Sequence, residues 1–83
     1  MREAEAIRDY ILENFLFTDD RSALAETTPL IGEGIVDSVG ILEVITFLED
    51  NFGIKVADEE MTPGNFESVA TIANLVQRKR QAA

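Results

Sequence analysis

Two serines stand at the front of amphipathic stretches, in Asp37-Ser38-Val39 and in Glu67-Ser68-Val69, and each hydroxyl could do chemistry. A serine hydroxyl is a weak nucleophile until a base takes its proton. The chain contains no histidine and no cysteine. A Ser-His-Asp triad, a Cys-His pair and an imidazole- or thiolate-held zinc are therefore excluded, and catalysis by the chain alone is disfavoured. Calcium is a poor fit as well: Asp19, Asp20 and Asp58-Glu59-Glu60 lack the Asp-x-Asp-x-Asp-Gly spacing with a closing glutamate.

The simplest role for either serine is to cap a helix N-terminus, a contribution of ~1 kcal/mol. The helices behind the two serines differ. After Ser68 the apolar stripe is Val69, Ile72, Leu75 and Val76, and the opposite face holds Ala70, Thr71, Asn74 and Gln77, as expected of a helix meeting water. After Ser38 the core stripe is Ile41, Val44, Ile45, Leu48 and Phe52. The far side still carries Val39, Leu42 and Phe47 among Glu43, Thr46, Glu49 and Asp50. Apolar groups ringed by charge mark an interaction surface; cover by a neighbouring loop is the simpler alternative. Ser38 also sits where helix-terminal N–H groups favour a phosphate. Gly40 leaves little side chain in the way of an approaching enzyme.

The elements that must position these residues read as all-α, with no segment alternating long enough for a sheet. A first helix is expected over about Glu3–Phe17, with Ala4, Ile7, Ile11 and Phe15 inward and Glu5, Asp9 and Glu13 outward. A long loop runs from Thr18 to Asp37, pinned by Leu24, Leu30 and Ile31 and turned at Pro29, Gly32 and Gly34. The second helix spans Ser38–Phe52 and stops at Gly53. Ile54-Lys55-Val56 is an extended link, Asp58–Met61 one helical turn, and Thr62–Phe66 a turn or short helix. The last helix runs from near Ser68 to about Arg80, with Arg78, Lys79 and Arg80 complementing its dipole. The expectation is a small four-helix bundle of three longer helices and one short one, within one domain covering residues 1–83.

Sixteen acidic against seven basic residues give a formal charge of −9. Such a surface repels nucleic acid and suits a basic protein partner. The 46% of apolar residues, regularly spaced, argue against disorder. Glu3, Glu5 and Asp9 stand where an export signal needs a basic start and an apolar run. Asp37, Glu43 and Glu49 break the apolar segments well short of the ~18 residues of a membrane span. A soluble, cytoplasmic monomer is expected.

The run Gly34-Ile35-Val36-Asp37-Ser38-Val39-Gly40 resembles the attachment site of acyl carrier proteins. Leu42 to Ile54, with its Leu-Glu, Phe-Leu-Glu and Phe-Gly-Ile groups, and the later Phe66-Glu67-Ser68-Val69 fit the same family. The likeness extends over roughly Ala6 to Val76. Val39 departs from the family's usual leucine. Gly40, Ile41, Phe47 and Asn51 make the second helix less acidic than in a housekeeping fatty-acid carrier, which points to a stand-alone carrier of a secondary pathway.

The resemblance implies that a phosphopantetheinyl transferase, using coenzyme A and Mg2+, places 4'-phosphopantetheine on Ser38. Asp37 would support it by orienting the serine or holding the metal, or would simply complement the helix dipole. Acyl or aminoacyl groups would then ride as thioesters between a loading ligase, synthase or transferase and other enzymes of a biosynthetic pathway. Glu33, Glu43, Thr46, Glu49 and Asp50 would face the partner's basic patch, with Val39 and Leu42 as the apolar centre of the contact. The rival reading is an unmodified acidic helical adaptor for a basic partner, in which Ser38 is dispensable.

Overall fold

In a computed structural model the described residues are 2–82, and their regular structure is all helical, with no strand among them. Helix α1 (Arg2–Ile11) turns Ala4, Ile7 and Ile11 into the core. It does not continue as a regular helix to Phe17. The next five residues, Leu12–Leu16, form a wider π-helical turn that ends at Phe17 in a left-handed conformation (φ 55°). The physical reason lies in the residue order. Ile11 and Leu12 are adjacent, yet both are buried, and the wider turn lets both point inward. Phe15, expected on the core stripe, is only half-buried.

Helix α2 (Ser38–Phe52) buries Val44, Ile45 and Leu48, and Gly53 closes it at φ 66° with its N–H donating to the Glu49 carbonyl. Helix α3 (Val69–Ala82) buries Val69, Ile72, Ala73, Leu75 and Val76 and packs against α1. Each valine, isoleucine or leucine so buried stabilises the fold by ~1.5–3 kcal/mol relative to exposure. The short fourth helix shrinks to one 3-10 turn, Asp58–Glu60. Three residues cannot support a helical hydrogen-bond ladder, so its position depends on Glu60, whose Oε1 accepts from the Ala57 N–H at 2.9 Å and pairs with Lys79 at 2.7 Å.

The long loop is held at several points. Arg21–Ala23 forms a 3-10 turn capped by Asp20, and Arg21 makes a two-pronged ion pair with Asp9 of α1. Leu24, Leu30 and Val36 are buried. The Leu30 N–H donates to the Glu67 carbonyl at 2.7 Å, and the Ala70 N–H donates to the Glu26 carbonyl at 2.9 Å, so the loop is tied to the N-terminal end of α3. Ile31, expected to pin the loop, is instead 47% exposed. Leu30 takes the core position, and the turn through Gly34 (φ 72°) rotates its neighbour outward.

Helices α1 and α2 run antiparallel. Phe15 lies against Gly40, Tyr10 stacks on Phe47 at 4.1 Å, and Arg80 joins the far ends by reaching both Glu3 and the Phe52 ring. This stacking corrects one expectation: Phe47 is half-buried under Tyr10 and does not belong to the open face of α2.

Candidate functional site

The cap of α2 is Asp37, not Ser38. The Asp37 backbone is extended (φ −99°, ψ −174°), and its Oδ1 accepts the Gly40 N–H at 2.7 Å. Ser38 is thereby moved one place on, to the first helical residue. Asp37 and Ser38 are both exposed, and among the described residues no side-chain hydrogen bond engages Ser38 Oγ. The hydroxyl is free because its neighbour does the capping.

Ser68 differs in every respect. It is 5% exposed, and its Oγ accepts the Thr71 N–H at 3.3 Å. Thr71 returns the interaction: its Oγ1 accepts the Ser68 N–H at 3.0 Å and donates to the Ser68 carbonyl at 2.9 Å. This reciprocal pair satisfies donors at the head of α3 and leaves the hydroxyl enclosed. Two nearly identical tripeptides thus present one hydroxyl to solvent and one to the backbone.

Gly40 does something other than clear a path. It is buried, and a Cβ there would stand 2.8 Å from Phe15 Cε1, 3.0 Å from Val36 Cγ1 and 3.2 Å from Asp37 Oδ1. The first turn of α2 therefore seats directly on the π-turn of α1. That seat turns the opposite side, with Ser38 and Val39, to solvent.

On the open face of α2, Val39 is 67% exposed and Leu42 is 57% exposed, and no loop covers them. Glu43, Thr46 and Asp50 are exposed beside them, and Glu33 is exposed on the loop. Thr46 Oγ1 donates back to the Leu42 carbonyl at 3.1 Å. Glu49 is drawn inward: its Oε2 accepts the Val56 N–H at 3.0 Å and fastens the link after α2. Between Arg21 and Lys55 the sequence holds six acidic residues and no lysine or arginine, and Glu33, Asp37, Glu43 and Asp50 among them are exposed. Among the described residues no cluster of three or more potential metal ligands occurs, and no helix is long and apolar enough to cross a membrane.

Sequence reasoning missed Tyr10, which buttresses α2 by its stack on Phe47 and by a long 3.4 Å hydrogen bond to the Glu43 carbonyl. Partial burial, followed by the nearby Glu43 charge, raises its phenol pKa. The signal was the spacing of Tyr10 three residues from Ile7, which extends the inward face of α1 toward α2.

No protein-family model matches the chain. Individual proteins do. The chain is 33% identical over 78 residues to the probable acyl carrier protein PigG of Serratia sp. (strain ATCC 39006), covering 94% of this chain and 87% of that one. It is 32% identical over 79 residues to the D-alanyl carrier protein of Streptococcus pyogenes serotype M1, covering 93% and 99%. Among solved structures, the holo acyl carrier protein NE2163 of Nitrosomonas europaea superposes with a TM-score of 0.79 at 31% identity, over 98% of this chain and 99% of that one. The apo form of KstB-PCP gives a TM-score of 0.73 at 35% identity, over 92% and 84%. Likenesses spanning nearly the whole chain define the class: a small helical carrier protein. The chain belongs to the acyl carrier protein family.

Proposed function

We propose that Ser38 is the attachment point of 4'-phosphopantetheine, and that the protein, itself without catalytic activity and acting as one domain, carries acyl or aminoacyl groups between enzymes of a biosynthetic pathway. The observation that carries this reading is the exposed, unengaged Ser38 Oγ at the head of α2, beside an Asp37 that already caps the helix. Family membership supports it, since one solved relative is a holo acyl carrier protein. The relatives include acyl carrier proteins and D-alanyl carrier proteins, in keeping with either an acyl or an aminoacyl cargo.

The residues present fit the group. An exposed primary hydroxyl can reach a foreign active site, and the N-terminal N–H groups of α2 favour the phosphate that results. In the attachment, Ser38 Oγ attacks the β-phosphorus of coenzyme A. The new O–P bond replaces the bond to adenosine 3',5'-bisphosphate, which leaves, and the serine proton passes to a base of the transferase. Asp37 keeps Oδ1 on the Gly40 N–H and has Oδ2 available toward the transferase's Mg2+. When bound, the group supplies the thiol that this cysteine-free chain lacks, and cargo is held on it as a thioester. Val39, Leu42, Glu43, Thr46, Asp50 and Glu33 form the face that meets basic partner enzymes, with Glu49 contributing one carboxylate oxygen at its edge.

The test is to incubate the purified protein with coenzyme A, Mg2+ and a broad-specificity phosphopantetheinyl transferase and to record the intact mass. A gain of one phosphopantetheine in wild type, absent from Ser38→Ala, is expected. An unmodified wild type would favour the adaptor reading.

A further inference from the structure

We infer that Phe17, with Glu13 and Asp19 beside it, is an anchor for the basic phosphopantetheinyl transferase that closes on Ser38; this rests on the carrier reading above. Phe17 breaks two rules together. It is a bulky non-glycine residue at φ 55°, and it is 82% exposed, the most exposed large apolar side chain among the described residues. Its ring serves no part of the core. The turn that displays it is nevertheless well fastened, because the Phe17 and Thr18 N–H groups both donate to the Leu12 carbonyl. A backbone fixed before contact loses little freedom on binding.

Its position places it near the modification site. Because α1 and α2 are antiparallel, and because Phe15 of the same turn lies against Gly40, Phe17 is at the end of the molecule where Ser38 opens α2. A standard protein interface covers about 800 Å² on each partner, a disc roughly 30 Å across. The whole protein measures 33 × 24 × 20 Å. Phe17 lies two residues from Phe15 and Ser38 two residues from Gly40, so a single interface of that diameter is wide enough to take in both.

The surroundings fix the sign of the occupant. A shallow open concavity of about 860 Å³ is lined by Asp9, Leu12, Glu13, Phe17, Asp19 and Arg21. Arg21 is already paired with Asp9, while Glu13 and Asp19 have no ion pair among the described residues. The patch joins an exposed apolar ring to two carboxylates without an ion pair, which suits a basic enzyme surface with an apolar side chain. A second copy of the chain, with charge −9, is repelled.

Steady-state loading by the transferase, with coenzyme A and Mg2+, tests the inference. Phe17→Asn keeps a residue that tolerates the left-handed conformation, so the fold is retained and can be checked by circular dichroism. Its KM for the carrier rises about tenfold, the loss of one anchor, with kcat within about twofold of wild type. Phe17→Tyr, which keeps the ring, restores KM to within about twofold. Neutralising Glu13 and Asp19 together (E13Q/D19N) flattens the salt dependence of kcat/KM. A folded Phe17→Asn variant with the wild-type KM overturns the inference alone, whereas a wild type that is never modified overturns the carrier reading with it.

Discussion

Ser38 and Ser68 follow acidic residues and precede valines, yet a single position in helix register separates their fates. At the head of α3 the serine itself is the cap, so its hydroxyl is spent on the Thr71 N–H and buried. At the head of α2 the aspartate caps, and the serine that follows is left outside. Replacing Ser68 with alanine should therefore cost about 1 kcal/mol of stability in a denaturant titration while leaving modification intact. Gly40 is the third residue in this arrangement. Gly40→Ala forces a Cβ to within 2.8 Å of Phe15 Cε1, and overpacking of this kind costs ~1–3 kcal/mol. That outweighs the smaller gain from alanine's helix preference in a first turn, so a net loss of about 1 kcal/mol is expected. Trimming the contact in the double variant G40A/F15L should recover most of it; an additive loss would show that Phe15 is not the obstacle.

Among the elements, the short 3-10 turn Asp58–Glu60 has the clearest pH signature. The Lys79 ammonium, and after it the Ala57 N–H, hold the Glu60 carboxyl below its ordinary value of 4.5. A folded-state pKa below the unfolded one means that Glu60 stabilises the fold above the unfolded value and that the contribution is lost as pH falls through the folded one. Stability measured by urea titration should thus decline below about pH 4.5, and Lys79→Met should flatten that decline. An equal slope in the two proteins would remove the pair from the account. The same elements show what the sequence could and could not convey. Helix α2 was legible to its ends because its apolar period is unbroken and Gly53 stops it. Helix α1 was not, since Ile11 and Leu12 are adjacent and no sequence period announces a π-turn. Period placed Val39 and Leu42 opposite the core stripe, while the absence of a covering loop was visible only in the structure. The burial of Phe47 under Tyr10, the outward turn of Ile31 and the inward use of Gly40 depend on contacts between distant segments, which local pattern does not encode.

At the scale of the whole molecule the charge is divided unevenly. The stretch from Ser22 to Ile54 has only acidic charges, while the basic side chains of α3 are engaged with Glu60, Asn65 and Glu3. Under the proposed function, the acidic field of the α2 face is what would draw in basic enzymes and orient them over Ser38. Glu43→Lys should slow loading several-fold at low ionic strength, with the difference shrinking as salt rises, and should leave the unfolding midpoint nearly unchanged. Equal loading at low salt would contradict the steering role. The central claim is that of two similar serines only the one left uncapped receives the group. Fragment-mass mapping of the wild-type protein after transferase treatment tests this most directly. The account predicts that the added phosphopantetheine falls wholly on the segment containing Ser38; a group found on Ser68, or on neither serine, would contradict it.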